Sequence, residues 1–317
     1  LLFDLDPEHG SSFDRDGLRE RLSGLAARGV FVGGSSWKYE GWLGSVYSRS
    51  RYLTRGRFSK KVFEETCLSE YATVFPAVCG DFAFYQFPSV ELWTKLFRQT
   101  PDGFRFGFKV PEQITVDTWP VQPRYGALAG LENPTFLDAG LFEQAFLRVL
   151  EPWRGRVGVL IFEFGAFRQR SFAGVREFAA ALDSFLERLP AGWRYAVEIR
   201  NAEFLAPAYF DCLRAHNVAH VYNAWTRMPE IGEQVAIPGS GTSDLIVARA
   251  LLKRGRPYEV AVRMFSPYDR VQEVNEPVRR GLRELIEIAI VDGRPAFVFV
   301  NNRLEGNSPG TIIAITE

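Results

Sequence analysis

The stretch Ala296-Phe297-Val298-Phe299-Val300 runs directly into Asn301-Asn302-Arg303-Leu304-Glu305-Gly306. Five apolar residues without alternation read as a strand buried on both faces. The chain then presents two amides, a guanidinium and a carboxylate at one point. The pattern recurs in Val197-Glu198-Ile199-Arg200-Asn201, in Phe106-Gly107-Phe108-Lys109, and in the apolar run 157–161 followed by Glu163. Buried strands that end in ionisable groups are what a parallel α/β barrel gathers at the mouth of its active site.

Further out along the chain, strand and helix patterns alternate. Strands are predicted at 29–33, 77–82, 104–110, 157–162, 195–199, 219–222, 245–248 and 297–300. Between them lie helical patterns. The clearest is Val175, Phe178, Ala179, Leu182, Phe185, Leu186 and Leu189, at i, i+3, i+4, i+7 spacing. Others are predicted at 58–75, with Ser59 as a cap, and at 136–150, 206–216 and 278–291. Residues 16–28 read as a short helix ahead of the first strand. About eight βα units in series predict a (β/α)8 TIM-like barrel over 29–317, with an N-terminal helical extension over 1–28. A doubly wound open sheet is the rival. The weakest unit is 222–245, where Pro229, Gly232, Pro238, Gly239 and Gly241 leave room only for a loop or short helix over the site.

Side chains alternate faces along a strand, so parity predicts what points into the barrel. Phe104, Phe106, Phe108 and Val110 share the face that helices would cover, which turns Arg105, Gly107 and Lys109 inward. Val197 and Ile199 oppose Glu198 and Arg200. Val78, Gly80 and Phe82 oppose Cys79 and Asp81. Val159, Ile161 and Glu163 share a face. Inward charge is therefore expected from Asp81, Lys109, Glu163, Glu198, Arg200 and Arg249. A structural ion pair that plugs the barrel is the plain alternative for any one of them.

Composition narrows the function classes. The 317 residues are 46% hydrophobic and 24% charged, ordinary for a globule with a sizeable core. The 38 basic and 38 acidic residues balance, which gives no overall electrostatic footprint for nucleic acid or anionic lipid. The local basic group Arg249, Lys253, Arg254, Arg256 and Arg263 reads first as a solvated face. Three cysteines without CxxC spacing argue against a disulfide scaffold or a zinc site and favour a reducing, cytoplasmic setting. Cys79 reads as an inert buried thiol. No apolar run is long enough for a bilayer, and the acidic start is unlike a signal peptide.

Several of these segments resemble the domain of unknown function 72 (YecE-like) family, whose fold is a TIM barrel. The resemblance rests on Val32-Gly33-Gly34-Ser35-Ser36-Trp37-Lys38-Tyr39 with Trp42, Gly44 and Tyr47, and on Phe84-Tyr85-Gln86-Phe87-Pro88 with Trp93. It continues in Thr100-Pro101-Asp102-Gly103-Phe104-Arg105-Phe106, Lys109, Ala196-Val197-Glu198-Ile199-Arg200 and Phe299-Val300-Asn301-Asn302. The ordered set is specific where no single piece is. Four positions depart from the pattern such proteins tend to show: Val78-Cys79-Gly80-Asp81 replaces a Glu- and Asn-bearing strand, Val116 and Asn201 stand where histidines occur, and Glu163 replaces a Gln. The resemblance implies a barrel and a pocket, and no particular reaction.

The remaining chemistry is weighed residue by residue. The three histidines, His9, His216 and His220, lie away from the expected mouth, which disfavours a histidine metal cluster. Asp81, Glu163 and Glu198 are the one all-oxygen set suited to magnesium or manganese; otherwise no cofactor is expected. No G-x-S-x-G elbow occurs, and Gly33-Gly34-Ser35-Ser36 reads as a tight turn before a phosphate cradle. Paired carboxylates are the better acid–base candidates. Glu198 and Glu163 are the expected catalytic pair for hydrolysis or isomerisation, with Lys109 as electrostatic partner or Schiff-base amine. Arg200, Arg249 and Arg303 are expected to hold a carboxylate or phosphate. Asn301, Asn302 and Asp81 would orient the substrate, and Trp37, Tyr39, Tyr85 and Trp225 are placed to stack on a sugar or base, with simple packing the plainer reading of each. The reading is an enzyme acting on a small anionic or polyhydroxylated substrate. The alternatives are a barrel that binds a metabolite without turning it over and, third, a nucleic-acid-associated protein.

Overall fold

The computed structural model describes residues 13–168 and 171–317; His9 lies outside them. Eight parallel strands close a barrel: β1 (Val30–Gly34), β2 (Ala77–Gly80), β3 (Arg105–Lys109), β4 (Val157–Glu163), β5 (Tyr195–Glu198), β6 (Ala219–Ala224), β7 (Ile246–Ala250) and β8 (Ala296–Val300). Neighbours in sequence are neighbours in space, and β1 pairs with both β2 and β8. The open-sheet rival is excluded by that closure. The decisive stretch behaves as its composition requires: Val30 to Gly34 pair in register with Ala296 to Val300, and all five residues of β8 are buried.

Parity explains how β8 fills both layers. Phe297 and Phe299 join Ala77, Cys79, Val159, Ile161, Ala196, Ala219, Val221 and Val247 inside the barrel. Val298 and Val300 face the helices, with Phe106, Phe108, Leu160, Phe162 and Val197. Two benzyl groups fit inside because the facing strands carry glycine. A Cβ on Gly107 would lie 2.7 Å from Phe299, and one on Gly158 would lie 2.3 Å from Phe297. Each buried phenyl contributes about 2–3 kcal/mol of transfer free energy.

Helices follow the expected pattern with adjustments. Ser59 caps Lys60–Tyr71 through Val62 N at 3.4 Å. Leu18 and Leu22 of Arg15–Ala27 are fully buried in the outer core. The pattern over 136–150 breaks into Ala139–Phe142, the π-helical Glu143–Leu147 and Arg148–Leu150. In the weak unit, Ile231–Val235 forms with a Glu230–Glu233 capping box, and Gln234 bonds back to Asn223 on β6. Val90–Phe97, Tyr258–Phe265 and Ser308–Thr316 are helices beyond those predicted.

Closure is tight where β1 meets β2. A Cβ on Gly33 would lie 1.8 Å from the Ala77 carbonyl oxygen, a backbone atom that cannot rotate away. Gly33→Ala is expected to cost about 2–3 kcal/mol in urea unfolding. Gly24→Ala, in open space on the first helix, is expected to gain about 0.5–1 kcal/mol. Equal effects would rule out barrel closure as the constraint.

Candidate functional site

The strand ends bring six of the expected residues into one cluster at the C-terminal mouth. Arg249, from β7, is the hub and is 1% exposed. Its Nη1 donates to both Glu163 Oε2 and Glu198 Oε2, and its Nη2 reaches Asp81 Oδ1 at 3.4 Å. Arg200 Nη2 lies 2.7 Å from Glu198 Oε1 and 3.2 Å from Glu163 Oε2. Lys109 Nζ lies 3.1 Å from Glu163 Oε1 and 3.7 Å from the centre of the Phe84 ring. The Arg200 guanidinium lies 4.0 Å from the Trp225 ring, a stacking geometry suited to a planar cation. Three carboxylates and three cations from five strands thus neutralise one another.

Electrostatics follow from that arrangement. Burial alone would raise the Glu163 carboxyl, but Lys109, Arg200 and Arg249 outweigh it and hold the group well below the usual carboxylate range. Burial likewise favours the neutral form of Arg249, and Glu198 with Glu163 reverses this, so its charge is locked in place. Glu198 and Glu163 accept from the same guanidinium nitrogen. They do not flank an open gap, and Glu163 is not poised as a proton donor near neutral pH; a glycosidase-type division needs one carboxyl pushed upward. Asp81, Glu163 and Glu198 converge on a guanidinium where a divalent ion would have to sit. Among the described residues no group of three or more His, Cys, Asp and Glu could hold a metal ion.

The other expected residues have more specific places. Trp37 is buried, its carbonyl accepts from the Tyr47 hydroxyl, and its ring meets Phe82 edge-on. Together with Asp81 and Phe82 it lines a cavity of about 370 Å³ whose other walls include Glu64 and Glu65 of Lys60–Tyr71 and Leu92 and Lys95 of Val90–Phe97. Asn301 and Asn302 are buried and already engaged: Asn301 Oδ1 accepts from Arg303 N, and Asn302 Oδ1 from Ser308 N. They build the turn after β8, and Asn302 Nδ2 is buried without a partner. Tyr85 is 55% exposed, with Arg124 over its ring at 4.6 Å, outside the charge cluster. Arg303 stands apart from the hub, beside Tyr258.

The residues set aside by the sequence also have clear settings. Burial pushes the Cys79 thiol up to about 12. His220 packs among Tyr209, Phe210 and Tyr222 in the outer layer, and His216 pairs with Asp183 at 2.8 Å. In the basic group, Arg249 is the buried hub, Lys253 and Arg256 share Glu273, and Arg254 pairs with Glu233. No helix among the described residues is long and apolar enough to cross a membrane. Phe84, Tyr258 and Tyr268 were not expected at the mouth. Phe84 carried a signal as the aromatic three residues past Asp81, whereas Tyr258, which opens the helix Tyr258–Phe265, and Tyr268, in the turn after it, carry no strand-end marker.

An eight-stranded barrel with its ionisable groups gathered at the C-terminal mouth defines the class, and the chain belongs to the DUF72 family. The model for "Protein of unknown function DUF72" matches residues 31–317. Among curated proteins, the UPF0759 protein YecE of Escherichia coli K12 is 32% identical over 141 residues, and the match spans 44% of each chain. Among solved structures, a DUF72 family protein of Thermotoga maritima MSB8 superposes with a TM-score of 0.57 at 20% identity, covering 90% of this chain and 96% of that one. Another, from Enterococcus faecalis V583, gives 0.58 at 15% identity, covering 90% and 94%. These structural likenesses concern the fold.

Proposed function

We propose that this DUF72 barrel binds a small polar molecule, anionic or polyhydroxylated, at its C-terminal mouth. The observation that carries the reading is the position of Asp81. Its side chain is 39% exposed and lines the cavity of about 370 Å³, while its Oδ1 touches the buried hub Arg249. The cleft is otherwise lined by the loop after β1 and by the helices Lys60–Tyr71 and Val90–Phe97, so a ligand there would reach the charge cluster through Asp81. The volume suits a small metabolite. Arg200 Nη1 and Arg249 Nε are buried without partners, so the cluster behind Asp81 carries unmet donors and gains from any added negative charge nearby.

Catalysis is the second reading, and the sharing of Glu163 favours it. Glu163 is the one carboxylate held by all three cations, and its side chain is 17% exposed. A ligand anion that draws Lys109 or Arg200 away removes what holds Glu163 low, and burial then lifts its pKa toward the range of a working base. Glu198, fully buried, would remain a fixed countercharge.

A thermal-shift screen of phosphorylated, carboxylated and polyhydroxylated metabolites tests both readings. Asp81→Asn and Glu163→Gln are each expected to weaken a hit by about tenfold, the loss of one charge-assisted hydrogen bond. Product analysis of the bound hit separates turnover from storage. Hits indifferent to both substitutions would place binding elsewhere and overturn the proposal.

A further inference from the structure

Arg303 differs from the three cations of the hub. Among the described residues no carboxylate oxygen lies within 4.0 Å of its guanidinium. Its Nε is buried without a hydrogen-bond partner, and its guanidinium lies 4.5 Å from the Tyr258 ring centre. Two further tyrosines, Tyr39 and Tyr268, lie within its electrostatic reach. Burial pushes the Tyr39 hydroxyl up to about 12, with Arg303 pulling it down and Asp81 and Tyr268 pushing it up. Tyr268 is also raised by burial and drawn down by Arg303. Both hydroxyls thus stay protonated near neutral pH and remain donors.

The backbone holds these groups together. The Tyr39 and Tyr268 rings meet edge-on, with centres 5.5 Å apart. The loop after β7 can approach the loop after β1 because residue 41 is glycine; a Cβ there would lie 2.1 Å from the Pro267 carbonyl oxygen. Tyr268 adopts a left-handed backbone, φ 71°, which a bulky residue rarely does. It is held there by its N–H to Phe265 O at 2.7 Å and by Asn307 Nδ2 donating to its carbonyl at 2.8 Å. A costly conformation, fixed from both sides, points this ring at Tyr39. Ser35 N donates to Val300 O at 2.9 Å, which sets Ser35 beside the end of β8. Ser35 Oγ and Asn302 Nδ2, both in residues almost wholly buried, have no partner on this corner either.

We propose that Arg303, Tyr39 and Tyr268 form an oxyanion subsite that holds a phosphoryl group, so that the ligand of the mouth is a phosphorylated small molecule. The inference rests on the mouth-binding reading above and narrows its substrate class. A cluster rich in donors with an uncompensated guanidinium calls for an anion, and three separate donor groups match the three terminal oxygens of a phosphoryl group. The loops after the last two strands are also where parallel barrels frequently seat phosphate. Asp81, electrostatically coupled to Tyr39, links this corner to the cleft.

The test is titration of the full chain with inorganic phosphate at constant ionic strength, followed by phosphorus NMR line broadening. Saturable binding is expected. Arg303→Gln should weaken it by about tenfold or more, and Tyr39→Phe and Tyr268→Phe by about threefold each. Arg280→Gln, on an exposed helical face, should leave it unchanged. Should Arg303→Gln fail to fold, the two Phe variants decide, together with anomalous density from selenate-soaked wild-type crystals within hydrogen-bond distance of Arg303. Phosphate that is indifferent to Arg303→Gln but lost in Arg200→Gln sits at the hub, which overturns the subsite and spares the mouth reading. Absence of saturable binding overturns the subsite alone, since the cleft is judged by its own screen. Acetate competing as well as phosphate would make the site one for carboxylates and overturn the phosphoryl assignment.

Discussion

Glu198→Ala is expected to lower folding stability by about 3–5 kcal/mol, measured by urea unfolding near neutral pH. Glu198 is fully buried, and two guanidiniums that are at least nine-tenths buried, Arg200 and Arg249, lean on it. Removing the carboxylate leaves three cations facing two anions, Asp81 and Glu163, in a region water barely reaches. Arg249 cannot shed its proton as a lysine would, so the cost appears as lost stability. Because the penalty arises from an orphaned charge, Arg249→Met placed on Glu198→Ala should recover part of it. Glu163→Ala is expected to cost less, no more than about 2 kcal/mol, because its side chain is partly exposed and solvent can replace it. A loss under about 1 kcal/mol for Glu198→Ala would mean that the guanidiniums are already solvated, and the description of the mouth as a closed charge cluster would be wrong.

The same cluster shows what sequence can and cannot reveal. The inward direction of Glu198, Arg200, Lys109 and Glu163 was legible because strand parity has a period of two and the bulky face of each strand was unambiguous. Which charges pair was not legible. Arg249 and Glu163 are 86 positions apart, and their contact depends on registers accumulated across β4 to β7 that no local pattern encodes. Asn301 and Asn302 looked like ligand groups because they follow β8, yet a chain that turns so abruptly needs side-chain acceptors for its own amides, and they supply them. Ser308–Thr316 lacked a helical stripe because its apolar residues lie all round it, as a helix with few exposed positions requires. Tyr268 gave no signal at all, since its place beside Tyr39 comes from Gly41 and from the Asn307 hydrogen bond, both remote in sequence.

Acid is expected to destabilise the fold in two stages with distinct origins. His220 is buried among aromatic rings, and burial lowers its pKa to about 4 from an ordinary value near 6.5. Between those values the unfolded chain binds a proton that the folded one refuses. Stability is therefore full above about pH 6.5 and falls by up to roughly 3 kcal/mol as the pH drops toward 4. Glu163 acts lower. Its folded carboxyl lies well below the unfolded value, so its contribution is present above about pH 4.5 and drains away only as the pH falls further toward the folded pKa. Urea unfolding across this range should show the first loss in the wild type. It should be absent in His220→Gln, whatever that variant's stability near neutral pH. The slope is the readout, because a merely weakened fold shifts the whole curve without flattening it. A wild-type stability that stays constant from about pH 7 to about pH 4.5 would show that His220 takes up its proton in the folded state. The outer layer around β6 would then be open to water, and the close packing that holds the strand ends at the mouth would have to be relocated.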